Sequence, residues 1–297
     1  MDTDKFYQMI LRQGRPLDAA IVLYQNKQVS VDALFSILAT YQNQDGGFAY
    51  GIEPDCSNPN SSPISSWSAT EILFETNLHR KHLPLTSRLE TYLSNIFDET
   101  GGEFWLTQPS NNDYPCAPWW KHQDPPWRSE FNPSAALTGF LFVNTEEQKY
   151  SEHINQLIER YLGHEHMEMH DLVCVTRLYE YLHEENDLRS KSEDFVDKLQ
   201  KDIEAACFGF DQDTAYRATP SQFFKRFNHP LASRCSDLIN RQADVFRLKL
   251  MSNSWVDILW SWGQESEAFS KAKWAWQSQL TLAAIHWISK LEGNTYD

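Results

Sequence analysis

Basic residues are scarce in this chain. Its 297 residues include 26 Lys and Arg against 41 Asp and Glu, which gives a formal net charge of -15. Proteins that bind nucleic acids or anionic membrane surfaces need clustered Lys and Arg to neutralise phosphate groups. The deficit therefore argues against both kinds of partner and favours a small-molecule ligand.

Long apolar runs are also missing. No window approaches the roughly 18 consecutive apolar residues of a membrane-spanning helix. No positively charged start followed by an apolar run appears near Met1, so a secretory leader is not indicated. The sequence predicts a protein without a membrane span, in the cytoplasm.

Cysteine is sparse, with five residues and no CxxC motif. An odd count without close pairs indicates neither a disulfide framework nor a four-thiolate zinc site. Free cysteine behaves as a small buried hydrophobe, so we expect reduced thiols in the core. Nothing in the sequence predicts a cofactor, and the oligomeric state is left open. The five are Cys56, Cys116, Cys174, Cys207 and Cys235.

Hydrophobic residues make up 41% of the chain and recur at helical spacing. Val31, Leu34, Phe35 and Leu38 form one such stripe, preceded by Ser30 as a candidate N-cap. Similar stripes run through 172–182 and 280–291, whereas alternating strand patterns are hard to find. The sequence predicts an all-α protein.

Glycine-bearing turns recur along the chain at Gly46-Gly47, Gly101-Gly102, Gly209 and Gly263. The spacings are 55, 108 and 54 residues, so one turn is missing from a period of about 54. That period fits a helical hairpin. Five to six hairpins fill residues 1–297 as one domain, and the apolar residues Trp287, Ile288 and Leu291 at its end favour a closed α/α toroid over an open stack.

Two segments interrupt the helical pattern, 43–65 and 101–133. Both are rich in Gly, Pro, Asn, Asp and Ser, which predicts loops. Structureless connections beyond about 12–15 residues are usually functional or disordered. The second segment carries too many aromatic side chains to remain in water, so a functional role is expected.

The string Q-x-x-D-G-G-F at Gln42, Asp45, Gly46, Gly47 and Phe48 resembles the QW-type repeat of squalene-hopene cyclases and the glycine turns of protein prenyltransferase β subunits. The resemblance implies the α/α toroid of the terpenoid cyclase and prenyltransferase superfamily, with a central cavity. We expect Gly46 and Gly47 to lie in a turn between helices, with at least one of them at a positive φ. Residues 97–104 and 207–210 look like degenerate copies.

The chain departs from that superfamily where its activities are concerned. The DxDD acid motif of class II terpene cyclases and the metal-binding DDxxD of class I synthases are both absent. The Asp, Cys and His zinc ligands of prenyltransferases cannot be assigned to residues here. The resemblance therefore implies a fold without a reaction.

The acidic pair Glu53 and Asp55 is the strongest candidate for catalysis, because it follows the best glycine turn and flanks Pro54. Two carboxylates beside an aromatic cavity can divide into an acid and a base when burial raises the pKa of one. The alternative is that one of them caps the helix that begins near Ser65 or Ser66.

The string PWWKHQDPPW mixes flat aromatic faces with titratable groups, the composition of a ligand platform. Asp124 is a candidate catalytic carboxylate, and a hydrophobic plug at one end of the barrel is the alternative use of this string. The predicted ligand-binding residues are Trp119, Trp120, His122 and Trp127.

A further cluster places Trp255, Trp260 and Trp262 within SWVDILWSWG. If this stretch is helical, Trp255 and Trp262 share a face that packs into the core, while Asp257 points elsewhere. All three tryptophans are also candidate ligand-binding residues.

The histidines His164, His166 and His170 could face one metal ion, but no second ligand motif accompanies them. We therefore predict no metal site.

These observations favour an enzyme that holds a small apolar molecule in an aromatic-lined cavity and uses carboxylate acid–base chemistry. A carbohydrate-active α/α barrel, either a glycosidase or a lyase, is the alternative within enzymes, since such barrels also combine tryptophans with carboxylates. A non-catalytic scaffold or binding toroid is the alternative outside them. Glu53 or Asp55 is expected beside at least two of the six candidate ligand-binding tryptophans, which are Trp119, Trp120, Trp127, Trp255, Trp260 and Trp262.

Overall fold

A computed structural model describes residues 3–80, 83–126, 129–145, 149–212, 216–226 and 228–293. Within these ranges the chain forms twelve α-helices and no β-strand, with three isolated β-bridges. The prediction of an all-α protein is confirmed. The helices are α1 (Asp4–Gln13), α2 (Pro16–Gln25), α3 (Val31–Leu38), α4 (Pro63–Glu75), α5 (Pro84–Ile96), α6 (Ser134–Asn144), α7 (Ser151–Gly163), α8 (Met169–Glu184), α9 (Glu193–Ala206), α10 (Pro220–Phe223), α11 (Ser236–Asn253) and α12 (Glu267–Leu291).

Short 3-10 turns lie between several of these helices, at Ala39–Tyr41, Pro109–Asp113, Pro118–Trp120, Leu188–Lys191 and Phe210–Gln212. Two of them fall inside the predicted loop 101–133. The rest of the described part of that loop (101–126 and 129–133), and the chain from 43 to 62, contains no helix or strand, apart from isolated bridge residues.

Helices of two kinds alternate along the middle of the chain. Helices α4, α6 and α8 are buried over most of their length, and α6 contains no charged residue. Helices α5, α7 and α9 bury one stripe only, such as Phe195, Leu199 and Ile203 in α9. We call the first kind inner helices and the second outer helices, because amphipathic helices place their apolar stripe towards the core.

The inner helices pack against one another in chain order, α4 on α6, α6 on α8 and α8 on α10. Helix α6 approaches α8 closely at Gly139, where a Cβ atom would lie 2.7 Å from the Tyr181 side chain. The last helix, α12, contacts α1, α2 and α11. We include α12, which is buried on nearly every side from Thr281 to Ser289, and the short α10 among the inner helices. Trp287 and Ile288 are buried in those contacts, as predicted, whereas Leu291 is exposed.

Serine residues begin several helices. Ser30 accepts a hydrogen bond from the Ala33 backbone at the start of α3, which confirms the predicted cap. Ser62 and Ser266 do the same for α4 and α12. A side-chain oxygen at this position satisfies one of the free N–H groups of the first turn.

The glycine turn at 42–48 is held from both sides. Gln42 donates from Nε2 to the carbonyl oxygens of Gly46 (2.9 Å) and Leu85 (3.1 Å), which connects the turn to α5. The Asp45 carboxylate accepts from the Gly47 backbone N–H (3.0 Å). Gly46 has a φ of 94°, so the predicted positive φ is confirmed.

Glycines with positive φ also occupy the other expected turns, at Gly102, Gly209 and Gly263. In the second turn, Asp98 accepts from the backbone N–H groups of Thr100 and Gly101, as Asp45 does in the first. The aromatic residue after each turn donates its N–H to a serine of the next inner helix, Phe48 to Ser66 and Phe104 to Ser134. The two turns are therefore built alike.

We expect Gly46→Ala to destabilise the protein by about 1–3 kcal/mol, because its Cβ would lie 2.2 Å from the Arg88 carbonyl oxygen at a strained φ. The measurement is the free energy of unfolding from urea denaturation. Gly163→Ala is the matched control, since nothing lies within 4 Å of the added Cβ. Equal stability of the two variants would contradict the steric argument.

Candidate functional site

Three long irregular segments precede inner helices and meet one another. They comprise 43–62 before α4, 97–133 before α6 and 254–266 before α12. Ala117 donates its backbone N–H to the Asp55 carbonyl oxygen (2.8 Å), which joins the first two segments. The third segment reaches the Asp55 side chain. The segments therefore lie together at the N-terminal ends of the inner helices.

Asp55 is buried at the point where these segments meet. Its carboxylate accepts a hydrogen bond from the indole Nε1 of Trp262 (2.9 Å) and another from the indole Nε1 of Trp260 (3.2 Å). Both bonds bridge more than 200 residues of sequence. An acid of the first loop thus lies beside two tryptophans of the predicted set.

Glu53 is also buried, two residues earlier in the same segment. Its Oε2 atom accepts a hydrogen bond from the Ser68 hydroxyl in α4 (3.1 Å). Burial, followed by the negative charge of Asp55, raises the pKa of Glu53 to about 7. The side chain is therefore close to half-protonated near neutral pH, where an acid–base catalyst is most effective.

The pKa of Asp55 is raised by burial as well, but its indole donors oppose the shift by favouring the charged form. Trp276 faces Asp55 and Trp120 faces Glu53, and each of these indoles also opposes the rise in the pKa of the acid that it faces. Neither of these two contacts meets the geometry of a direct hydrogen bond, so both indole N–H groups remain unpaired and buried. Trp260 and Trp262 are therefore the two tryptophans that form direct hydrogen bonds to the acid pair.

Arg15 holds the acidic segment in place from α2. It is buried, forms a double hydrogen bond to Asp18 (2.7 and 3.2 Å), and donates to the Ile52 carbonyl oxygen (3.3 Å). Its backbone N–H donates to Ser278 in α12. Through its side chain and its backbone N–H, Arg15 therefore joins α2 and α12 to the residue that precedes Glu53.

The alternative that Glu53 or Asp55 caps a helix is wrong in this structure. Helix α4 begins at Pro63, and Ser62 provides the cap. Ser68, which binds Glu53, lies in the second turn of that helix and has its own backbone partners. Neither carboxylate therefore caps α4, although Asp55 also binds the third segment through Trp260 and Trp262.

The 3-10 turn Pro118–Trp120 directs two neighbouring tryptophans to different places. Trp120 is half-buried and faces Glu53, whereas Trp119 is 39% exposed. Trp119 lines a cleft of about 410 Å³ together with Thr107, Pro118, Lys121, Gln123, Pro125 and Pro126. The predicted platform is thus divided between the acid pair and an open cleft.

The other predicted residues of this string have different surroundings. His122 is half-buried and its Nδ1 lies 3.2 Å from the Thr107 hydroxyl, next to the cleft. Asp124 is exposed, between the cleft residues Gln123 and Pro125. Trp127 lies outside the described residues.

The stretch 255–262, for which a helix was one possibility, is not helical. Helix α11 ends at Asn253, Ser254 adopts a φ of 65°, and the chain then runs without regular structure to Ser266. In an extended chain, residues two apart point the same way, so Trp260 and Trp262 both reach Asp55. Trp255 packs against the hydrophobic core instead.

The three histidines do not converge on one site. His164 pairs with Glu130 (2.8 Å), His166 is exposed, and His170 pairs with Glu168 at the start of α8 (2.8 Å). Over the described ranges, no group of three or more His, Cys, Asp or Glu side chains is arranged to hold a metal ion.

Tyr216 and Ser68 belong to the site but were not predicted. The Tyr216 ring packs edge-on against Trp260 with the ring centroids 5.1 Å apart, and its hydroxyl lies 3.2 Å from His170 Nε2. The contact of Ser68 with Glu53 depends on where α4 begins, because the start of the helix decides which of its side chains face the acidic segment. Tyr216 lies in a polar stretch with no distinctive spacing.

Comparisons with models of protein families, with curated proteins and with solved structures give no match to this chain. No helix in the described part of the chain is long and apolar enough to cross a membrane.

The raised pKa of Glu53 predicts a pH-dependent stability. Between pH 4.5 and about 7, the carboxyl group ionises in the unfolded chain but keeps its proton in the folded one, so stability falls as pH rises. Glu53→Gln does not titrate. Its stability relative to the natural protein should increase across this window, by on the order of 1 kcal/mol for each pH unit.

Urea denaturation at pH 5 and pH 8 measures this difference. Glu265→Gln, at an exposed position in the third segment, is the matched control and should keep the pH dependence of the natural protein. Parallel pH profiles for Glu53→Gln and the natural protein would contradict the assignment of the raised pKa to Glu53.

The indole donors predict a second titration. Trp262→Phe removes a hydrogen bond that favours the charged carboxylate, so the pKa of Asp55 should rise further. The carboxyl ¹³C chemical shift of Asp55, followed by NMR against pH, reports this change. Trp255→Phe, in the core, should leave the Asp55 titration unchanged.

Proposed function

We propose that this chain is an enzyme that uses Glu53 and Asp55 as an acid–base pair on a small molecule held against tryptophan side chains. The observation that carries the proposal is the environment of the two carboxylates, buried together among indole N–H donors, with the pKa of Glu53 raised to about 7. Buried acids that have a raised pKa and lie close to a second carboxyl group are characteristic of catalytic sites.

The roles follow from the different partners of the two acids. Glu53 keeps its proton more readily and serves as the general acid. Asp55 accepts two indole hydrogen bonds that favour its charged form, so it serves as the carboxylate that accepts a proton or stabilises positive charge. Neighbouring indole rings can stabilise a cationic transition state through their faces.

The fold that we propose for this site is a closed α/α toroid related to the terpenoid cyclases and prenyltransferases. Contacts of α12 with α1 and α2, the chain-order packing of α4, α6, α8 and α10, and the alternation of inner and outer helices support a closed ring of six hairpins. The two matching glycine turns support the relationship to QW-type repeats. In such a ring the acid pair would lie at one mouth.

Two substrate classes fit an acid–base pair beside indoles, an apolar molecule and a carbohydrate. The carbohydrate is favoured by one observation, the open cleft that combines the exposed Trp119 face with the polar side chains of Thr107 and Gln123. Sugar rings stack on indole faces while their hydroxyl groups bind polar side chains. Most glycoside hydrolases also use a pair of carboxylic acid side chains as their catalytic residues.

The test is a turnover screen of the purified protein with chromogenic glycosides, polyuronides and prenyl diphosphates. We expect turnover of a carbohydrate, lowered by at least about 100-fold in both Glu53→Gln and Asp55→Asn. Glu265→Gln is the control and should retain full activity. Asp124→Asn shows whether the exposed carboxylate beside the cleft contributes.

Turnover of a prenyl substrate alone, with the same loss in both variants, would support the pair but reject the carbohydrate. Full activity of both variants would reject the acid–base pair. Binding of an unchanged ligand without turnover in any class would favour a non-catalytic binding protein.

A further inference from the structure

Cys56 and Cys116 face each other across an antiparallel bridge between the first two irregular segments. The hydrogen bonds that make this bridge come from the flanking residues, Ser57 N–H to Pro115 O (3.0 Å) and Ala117 N–H to Asp55 O (2.8 Å). The cysteines therefore form a non-hydrogen-bonded pair. In such a pair, the Cα atoms lie about 4.5 Å apart and the side chains are closest.

That spacing is within the range of disulfide-bonded cysteines, whose Cα atoms are usually about 4.4–6.8 Å apart. The side chains also point the same way, because both thiols contact Asn111. The Sγ of Cys56 lies 3.8 Å from Asn111 Oδ1, and the Sγ of Cys116 lies 3.3 Å from the Asn111 carbonyl oxygen. Two thiols are thus held on one residue without being bonded.

We propose that Cys56 and Cys116 are a redox modification site, which a peroxide converts reversibly into a disulfide. The bond would tie the segment that carries Glu53 and Asp55 to the segment that carries Trp120. Asp55 directly precedes one cysteine, and the Pro118–Trp120 turn begins two residues after the other. Oxidation would therefore fix the two sides of the acid site relative to each other.

The chemistry balances with hydrogen peroxide as the oxidant. One thiolate attacks peroxide and breaks the O–O bond, which gives a sulfenic acid and water after proton transfer. The second sulfur then attacks the first and displaces its oxygen as water. Two thiols and one peroxide give one disulfide and two waters, and a dithiol reductant reverses the reaction.

Burial slows the oxidation of this pair. Cys56 is 1% exposed and Cys116 is 8% exposed, and burial raises the pKa of the Cys56 thiol to about 12. Because the thiolate is the reactive form, oxidation should be slow in the closed state. A small oxidant that can reach buried sulfur atoms is therefore needed.

The other cysteines provide controls. Cys174 lies within α8, where its Sγ contacts Asn132 Oδ1. Cys207 and Cys235 follow α9 and precede α11, at the ends of two helices. All three are buried, so burial alone does not distinguish them from the proposed pair.

The test is peptide mapping of the folded protein after treatment with hydrogen peroxide. Free thiols are alkylated under denaturing conditions before digestion. We expect one cross-linked peptide pair that contains Cys56 and Cys116, lost on reduction with dithiothreitol, and two fewer alkylated thiols. The oxidised protein should also unfold at a temperature higher by about 5 °C or more, because the bond closes a loop of roughly 60 residues.

Cys207→Ser is the matched control and should still form the bond, whereas Cys56→Ser and Cys116→Ser should not. The natural protein alone decides the question if a variant fails to fold. A bond between other cysteines, bonds only between molecules, or equal alkylation of all five thiols would overturn the proposal. None of these measurements depends on catalysis, so the acid–base function can fail without affecting the result.

Discussion

The buried side chain of Arg177 holds two inner helices together. Its guanidinium lies between α4 and α8, where it pairs with Glu71 (2.8 and 3.1 Å) and with Glu180. It also stacks on the Phe74 ring at 4.0 Å, with Arg226 at 3.5 Å from the same ring. Removing one partner from a buried ion pair typically costs about 3–5 kcal/mol. The inner helices therefore cannot shift without leaving charge unpaired.

Different partners explain why the pKa of Glu53 is raised while the pKa of Glu184 is lowered. Glu184 is paired with His79 (2.9 Å) and Arg226, which hold its pKa at about 2. Glu53 instead faces a hydroxyl group and a second carboxylate. The nearby cation, Arg15, is already bound to Asp18. Cationic partners thus keep Glu184 in its charged form, whereas Glu53, beside Asp55, can gain and lose a proton near neutral pH.

Local patterns predicted more of the fold than of the site. Apolar spacing and Ser30 were enough to place α3, and the D-G-G string was enough to place a positive-φ turn. The string SWVDILWSWG misled because its tryptophans fit helical spacing, although Ser254 ends α11 before them. The conformation of that segment is determined by the hydrogen bonds that Trp260 and Trp262 donate to Asp55. Nor could sequence pair Cys56 with Cys116, since their contact depends on how two distant loops meet.

The glycine turn and the acid site are connected through α4. Gln42 fixes the turn to α5, and Phe48 donates its backbone N–H to Ser66 (3.2 Å). Ser66 lies two residues before Ser68, so the same bond sets the rotation of the helix that presents the Ser68 hydroxyl to Glu53. Residues two apart in a helix point about 200° from each other. The turn therefore contacts one side of α4 and the acid the other, and a shift of the turn would move the hydroxyl away from the carboxylate.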